Sequence, residues 1–351
     1  MTPDDDRPER VRHSPSQRPG RRPLLLAGAC ALAVTALGLA VVGGGGATRG
    51  TPSSTSAVQA APSAPTSTVS PSRAPTASPE AVRQVSTIPD LMSALADDVV
   101  DEIIVRDGTY RVAGASRQES TSLWVDSRYA SRTRPVLVRA ETVGGVTFDG
   151  GGDTHWVGLA FNGGAHDQTW QGFRFANAEP TATGVITFGW SGYESLGPGP
   201  HHITLRDITI EGSIVSTGSS IHDHGVYFEQ SVGGAHDIVI DGLVVDGSGH
   251  LDSALHFYHS TPDEPNAWNV TVRHMRVTGT DQAVILWDPT IRNILIEDST
   301  ITAAATYAVR YELGGTVTLR RVSSTGSGEA GFHSSLGPHP AGVTFADTTL
   351  Q

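Results

Sequence analysis

Three short segments bring carboxylates, imidazoles and phenols to matching positions. They read "HDHGVYFEQ" (222–230), "HLDSALHFYHS" (250–260) and "TDQAVILWD" (280–288). Each carries an acid, Asp223, Asp252 or Asp281, two residues before a Gly or Ala. Beyond that small residue the chain alternates as a strand does, so every second side chain points to one face. Aligned on the Gly or Ala, one outward column reads Ile186, Tyr227, His256, Ile285, Arg310, His333. The next reads Phe188, Glu229, Tyr258, Trp287, Glu312, Ser335. The acid column continues as Thr306 and Glu329.

Stacked carboxylates repel unless a cation, a shared proton or an Arg compensates. Two reactions suit such a surface. Glycoside hydrolysis needs an acid and a carboxylate, for which Asp223, Asp252 and Asp281 are the candidates. Asp223 and Asp281, two strands apart, would be separated by roughly 9.6 Å on a straight column. β-Elimination on a uronic acid needs a cation to neutralise the substrate carboxylate and a base for the proton α to it. Arg310 is the candidate cation, with His256 or Tyr227 as base or acid. Glu229, Tyr258, Trp287, Glu312 and His333 complete a substrate-binding surface, whose aromatic members offer flat faces with polar rims to sugar rings.

Simpler readings stand beside these. Asp is favoured at turns because its carboxylate binds nearby backbone N–H groups. Tyr258 and Trp287 could be covered by the long segments 188–201 and 259–268. His222, His224 and His250 match no firm metal-ligand spacing. No metal or other cofactor is therefore expected, with calcium between the stacked acids as the exception the column leaves open.

The elements that must carry these columns recur along the chain. Compare "ITLRDITIEGS" (203–213), "IVIDGLVVDGS" (238–248), "VTVRHMRVTGT" (270–280), "ILIEDSTITAA" (294–304), "VTLRRVSSTGS" (317–327) and "VTFADTTLQ" (343–351). "TWQGFRFANA" (169–178) and "VLVRAETVGGVTF" (136–148) extend the series upstream. Between them run "GVITFGW", "GVYFEQ", "ALHFYH", "AVILWD", "AVRYEL" and "GFHSSL", from 184 to 336. A repeat of about 23 to 35 residues built from short strands, with no helical period, predicts an all-β solenoid in which equivalent positions stack. Sandwiches and propellers are the alternatives, but few tight two-residue hairpin signals join these strands.

This pattern resembles the right-handed parallel β-helix of the pectate-lyase-like superfamily, over roughly residues 82–351. "RPVLVRAETVGGVTFDGGG" (134–152) looks most like the early rungs of the alginate lyase and chondroitinase B-like family. "STIPDLMSALADDVVDEIIVRDGTY" (86–110) reads as a short amphipathic helix capped near Thr87, a strand at 102–105 and a turn at Asp107–Gly108. The resemblance implies that this helix closes the open end of the solenoid. It also implies a polysaccharide as partner, and an activity as polysaccharide lyase or glycoside hydrolase. A catalytic Lys beside an Arg, which the alginate lyase likeness implies, has no counterpart, since the chain contains no Lys. The doubled Asp and the Arg–Lys motif of polygalacturonases are also missing. A non-catalytic glycan-binding or structural surface protein is the reading from a different class.

The remaining sequence concerns location. Residues 24–43, "LLLAGACALAVTALGLAVVG", are apolar and follow an Arg-rich stretch, 1–23. About 20 such residues cross a bilayer, and the positive flank stays inside. The run is expected to be a membrane signal-anchor or a cleaved signal peptide. Either places the domain outside the cell, tethered to the membrane through 24–43 or secreted. Residues 44–81 are a Ser/Thr/Pro/Ala-rich linker, unable to bury a core. The Arg, Ala and Pro bias suggests a bacterial source. The net charge of −12 and the lack of basic clusters in the body argue against nucleic acid. One Cys, Cys30, excludes a disulfide framework.

Overall fold

The computed structural model describes residues 81–112, 123–129, 131–151, 158–178, 183–189, 198–212, 223–229, 234–247, 251–258 and 266–351. The apolar run 24–43, the linker through residue 80, and His222 and His250 lie outside these residues. Among the described residues no helix is long and apolar enough to cross a membrane.

Among the described residues all strand pairing is parallel, and the strands line up in three faces. One turn of the solenoid shows the plan. Ala235–Asp241 lies on the first face, Val244–Asp246 on the second and Ser253–Tyr258 on the third. The next turn repeats it with Ala267–Arg273, Arg276–Thr278 and Gln282–Trp287. Toward the C-terminus the first two faces merge, because Arg292–Thr302 and Val317–Thr325 each run through both.

Between the first and second faces each turn carries a residue in the left-handed region. Gly172 (φ 81°), Asp207 (53°), Gly242 (80°), His274 (54°), Asp298 (49°) and Arg321 (52°) occupy that corner on successive turns. Gly and Asp tolerate this conformation best, which accounts for the polar pair in the middle of each repeat. The corner toward the third face is crowded instead. A Cβ on Gly247 would lie 2.5 Å from the Gly279 carbonyl oxygen, and one on Gly212 would lie 2.5 Å from that of Gly247. This close approach explains the recurrent Gly after the second strand.

The interior is filled by like residues stacked on like. Phe161, Phe188, Phe228 and Phe257 form one column, with ring centroids 5.2, 4.7 and 4.4 Å apart and nearly parallel planes. Leu286 and Tyr311 continue it. Each such buried ring contributes on the order of 2–3 kcal/mol by leaving water. The helix Ile88–Leu95 buries Ile88, Leu91, Ala94 and Leu95 in the same core. Thr87 Oγ1 accepts from Asp90 N at 3.1 Å at its start. The buried Arg132 donates to the carbonyls of Leu95, Asp97 and Val100 at its end.

The register on the third face corrects one expectation. Gly184 pairs with His224 rather than with Gly225, so Ile186 pairs with Val226 and Phe188 with Phe228. Ile186 and Phe188 therefore point into the core, and Thr187 lies beside Tyr227. A shift of one residue sends every side chain of a strand to the other face. The five later strands keep the expected register: Tyr227, His256, Ile285, Arg310 and His333 follow one another along the column.

Candidate active site

The third face is not a flat surface at its middle. Its strands Asp223–Phe228, Ser253–Tyr258, Gln282–Trp287 and Tyr307–Glu312 form the wall of a cleft of about 700 Å³. Tyr227, Glu229, Asp252, His256, Tyr258, Asp281, Trp287 and Arg310 line it, together with His224, Gln282 and Ile285. Of the residues anticipated from sequence, Asp223, Glu312 and His333 stand outside the lining. Asp223 is buried, and its backbone carbonyl accepts from Asp252 N at 2.7 Å. Glu312 and His333 lie at the far edge, where His333 Nε2 is 3.5 Å from Glu312 Oε1 and its ring stacks on Tyr307.

The acid column survives in three dimensions. Asp252 takes the position between Asp223 and Asp281, and Gln282 N returns to the Asp252 carbonyl at 2.7 Å. Strand spacing puts neighbouring members about 4.8 Å apart along the backbone. Burial is the largest influence on Asp252, and the charge of Asp281, with a smaller effect from Asp223, acts in the same direction. A hydrogen bond from Gln282 and the charge of Arg310 oppose them. The net result pushes the Asp252 carboxyl up to about 7. It therefore carries its proton into the neutral range, the condition for a general acid.

Beside Asp252 sits a pair of buried imidazoles. His224 Nε2 and His256 Nδ1 are 2.9 Å apart, and the rings meet edge to face. His224 Nδ1 is 2.9 Å from Ser253 Oγ and 3.6 Å from Asp252 Oδ2. Tyr227 stacks on His224, with ring centroids 4.9 Å apart. Burial first, then the charge of Glu229, pushes the Tyr227 hydroxyl far above its usual range. The outward face of His256 and Tyr227 was anticipated, but not their burial, which comes from these rings packing on one another.

At the other side of the cleft Arg310 is already engaged. Its Nε lies 3.3 Å from Glu312 Oε1 and its Nη1 3.4 Å from Gln282 Oε1, and the guanidinium carbon lies 4.8 Å from the centroid of the Trp287 ring. Burial tends to raise Glu312, but hydrogen bonds from Ser335 and Arg310 outweigh it and hold the carboxyl below its usual range. Trp287 is 37 % exposed, the most open aromatic side chain of the lining. Tyr258 lies in the same column on the preceding strand.

No group of three or more His, Cys, Asp or Glu among the described residues is arranged to hold a metal ion. Sequence reasoning passed over Gln282, and weighed His224 only as a turn residue or metal ligand. The adjacency of Gln282 to Asp281 was the available signal.

No protein-family model matches the sequence, and no curated protein matches it. Among solved structures, an alginate lyase from Paenibacillus sp. str. FPU-7 overlays on 77% of this chain and 98% of its own, with a TM-score of 0.51 at 13% identity. The chain is a parallel β-helix. A pectate lyase from Xanthomonas campestris, a variant with two substitutions, covers 75% of the β-helix chain and 79% of its own, with a TM-score of 0.44 at 15% identity. Endopolygalacturonase I from Stereum purpureum, complexed with galacturonate, covers 76% and 95%, at 0.32 and 12%. Identities this low speak to the fold and not to any residue.

Proposed function

We propose that this β-helix protein hydrolyses a neutral polysaccharide, with Asp252 as general acid and Asp281 as the facing carboxylate. The observation that carries the reading is the Asp252 carboxyl, raised to about 7 next to a second carboxylate in the same cleft. Glycoside hydrolysis requires a carboxyl group that donates a proton and a second one facing it. Asp252 would give its proton to the glycosidic oxygen as the bond to the anomeric carbon breaks. Asp281 would face the positive charge that develops on that carbon. Water supplies the hydroxyl of the new reducing end. Tyr258 and Trp287 would stack on the sugar rings.

The balance of charge favours a neutral substrate. Asp281 and Glu229 line the cleft beside the protonated Asp252, and Arg310, shared with Glu312, is the one Arg among the described lining residues. A polyuronate would meet this cleft with the wrong sign. β-Elimination is the second reading, favoured by the presence of Arg310 in the lining.

Export belongs to this proposal too. The apolar run 24–43 after an Arg-rich stretch, and the linker after it, support a domain held outside a cell, where such polymers occur.

The test is incubation of the full chain with neutral glucans and xylans and, separately, with alginate and pectate. New reducing ends from a neutral glycan, without ultraviolet absorbance from unsaturated sugars, are expected. Unsaturated ends from a uronate would replace hydrolysis by elimination. Retention on a glycan gel without cleavage of any polymer would reduce the protein to a binding module. The anomer of the first product, read by NMR, tells whether Asp281 acts as nucleophile or as base toward water.

A further inference from the structure

Gln282 lines the cleft without itself being able to ionise. It opens the strand Gln282–Trp287, and its backbone N–H donates to the Asp252 carbonyl at 2.7 Å. The residue is 8 % exposed and its side chain forms part of the cleft wall. An Arg can only donate hydrogen bonds. The contact of 3.4 Å between Arg310 Nη1 and Gln282 Oε1 therefore fixes which end of the amide is which. Oxygen faces Arg310, and the NH₂ group is left to face elsewhere. Arg310 is in turn held by Glu312 and lies over Trp287, and Glu312 is held by Ser335. The orientation of one neutral amide is thus set by a line of side chains that runs away from the acid pair.

We propose that Gln282 is the positioning residue of the acid: its amide nitrogen, aimed by Arg310, donates to one oxygen of the Asp252 carboxyl and leaves the acid proton to the other oxygen. The carbonyl oxygen of a protonated carboxyl is the better acceptor, so an N–H bond to one oxygen favours the proton on the other. One rotamer then presents the proton in one direction. Without the amide the two oxygens exchange roles by a half-turn, and half of the acid population points its proton the wrong way. The same bond favours the charged form, so Gln282 also keeps burial from raising Asp252 further. This role in turnover rests on the hydrolytic reading, whereas the bond to Asp252 does not.

The charged and titratable groups facing Asp252 are Asp281, Asp223 and Arg310, with His224 Nδ1 at 3.6 Å. Substitutions at Gln282 change none of these residues, and Arg310 keeps Glu312 as a partner. The test is a carbon-13 NMR titration of the full chain labelled at Asp carboxyls, with the Asp252 signal identified by its loss in Asp252→Asn. Gln282→Met conserves length and removes donor and acceptor. Gln282→Glu keeps an acceptor for Arg310 but has no amide to donate. The Asp252 midpoint should rise by about one pH unit in Gln282→Met, the usual worth of a bond to a charged group. It should rise at least as far in Gln282→Glu, whose own charge adds to the effect.

An unmoved midpoint in Gln282→Met overturns the proposal. A rise in Gln282→Glu alone assigns the effect to charge and overturns it as well. Should Gln282→Met fail to fold by circular dichroism, Gln282→Asn replaces it, because its shorter amide cannot span Arg310 and Asp252 together, and the same rise is expected. On a cleaved glycan, Gln282→Met should lower kcat with little change in KM. A midpoint that moves in a protein that cleaves no glycan retains the positioning role and sinks the hydrolytic reading; cleavage with an unmoved midpoint does the opposite.

Discussion

His256 Nδ1 lies 2.9 Å from His224 Nε2, and both imidazoles are buried in the wall of the cleft. One hydrogen occupies that contact, so the proton arrangement of each ring dictates that of the other. Replacing His224 by Leu leaves a buried nitrogen of His256 without this bond, a loss of about 1–3 kcal/mol. His256→Leu should lose a similar amount. The double variant should be more stable than the sum of the two losses predicts, because the second substitution removes the group that the first left stranded. Urea unfolding of the four proteins measures the coupling, and strict additivity would show that the contact contributes nothing.

Asp252 makes stability depend on pH in an unusual direction for a carboxylate. Its folded value of about 7 stands above the ordinary value near 3.8. The folded state therefore binds the proton more tightly. The contribution is fully present below about pH 4 and is lost as pH rises through about 7, at most on the order of 4 kcal/mol. Asp252→Asn cannot lose it. That variant should unfold at a higher temperature than the parent at pH 8, yet match it at pH 4. Equal melting temperatures at pH 8 would mean that Asp252 is not raised.

The same group sets the activity profile. An acid must hold its proton, so kcat/KM should fall as pH climbs past about 7. Asp223 stands outside the lining of the cleft, yet its charge helps to raise Asp252. Asp223→Asn should move the falling limb to lower pH with KM unchanged. A limb that stays in place would separate Asp223 from the site altogether.

Trp287 offers the open aromatic face. Trp287→Ala should raise KM about tenfold, the equivalent of roughly 1.4 kcal/mol of stacking, and leave kcat nearly as it was. It also removes the ring beneath Arg310. Trp287→Phe, which keeps a ring, should recover most of the affinity. A fall in kcat with constant KM would instead make Trp287 a support for Arg310 rather than a sugar platform.

Much of this β-helix was legible without coordinates. The alternation around Tyr227, His256 and Arg310 is a period-two pattern, and parallel stacking multiplies it into columns. The acid column at Asp223, Asp252 and Asp281 followed from the same counting. Counting failed at Gly184, whose place in the repeat is one residue away from that of Gly225, so Ile186 and Phe188 turned inward. Small residues mark a corner without saying how many residues it takes to round it.

Sequence alone determined the parallel solenoid, the strand positions and the side of the wall on which most of these residues stand, because those depend on local alternation and on a repeat. Tertiary structure decided the chemistry. It placed Asp252 and Asp281 in the cleft lining and Asp223 outside it, closed His224 and Tyr227 over His256, and committed Arg310 to Glu312 and Gln282. Protonation depends on burial and on charges a few ångströms away, and those distances are set across turns of the solenoid by side chains far apart in the chain.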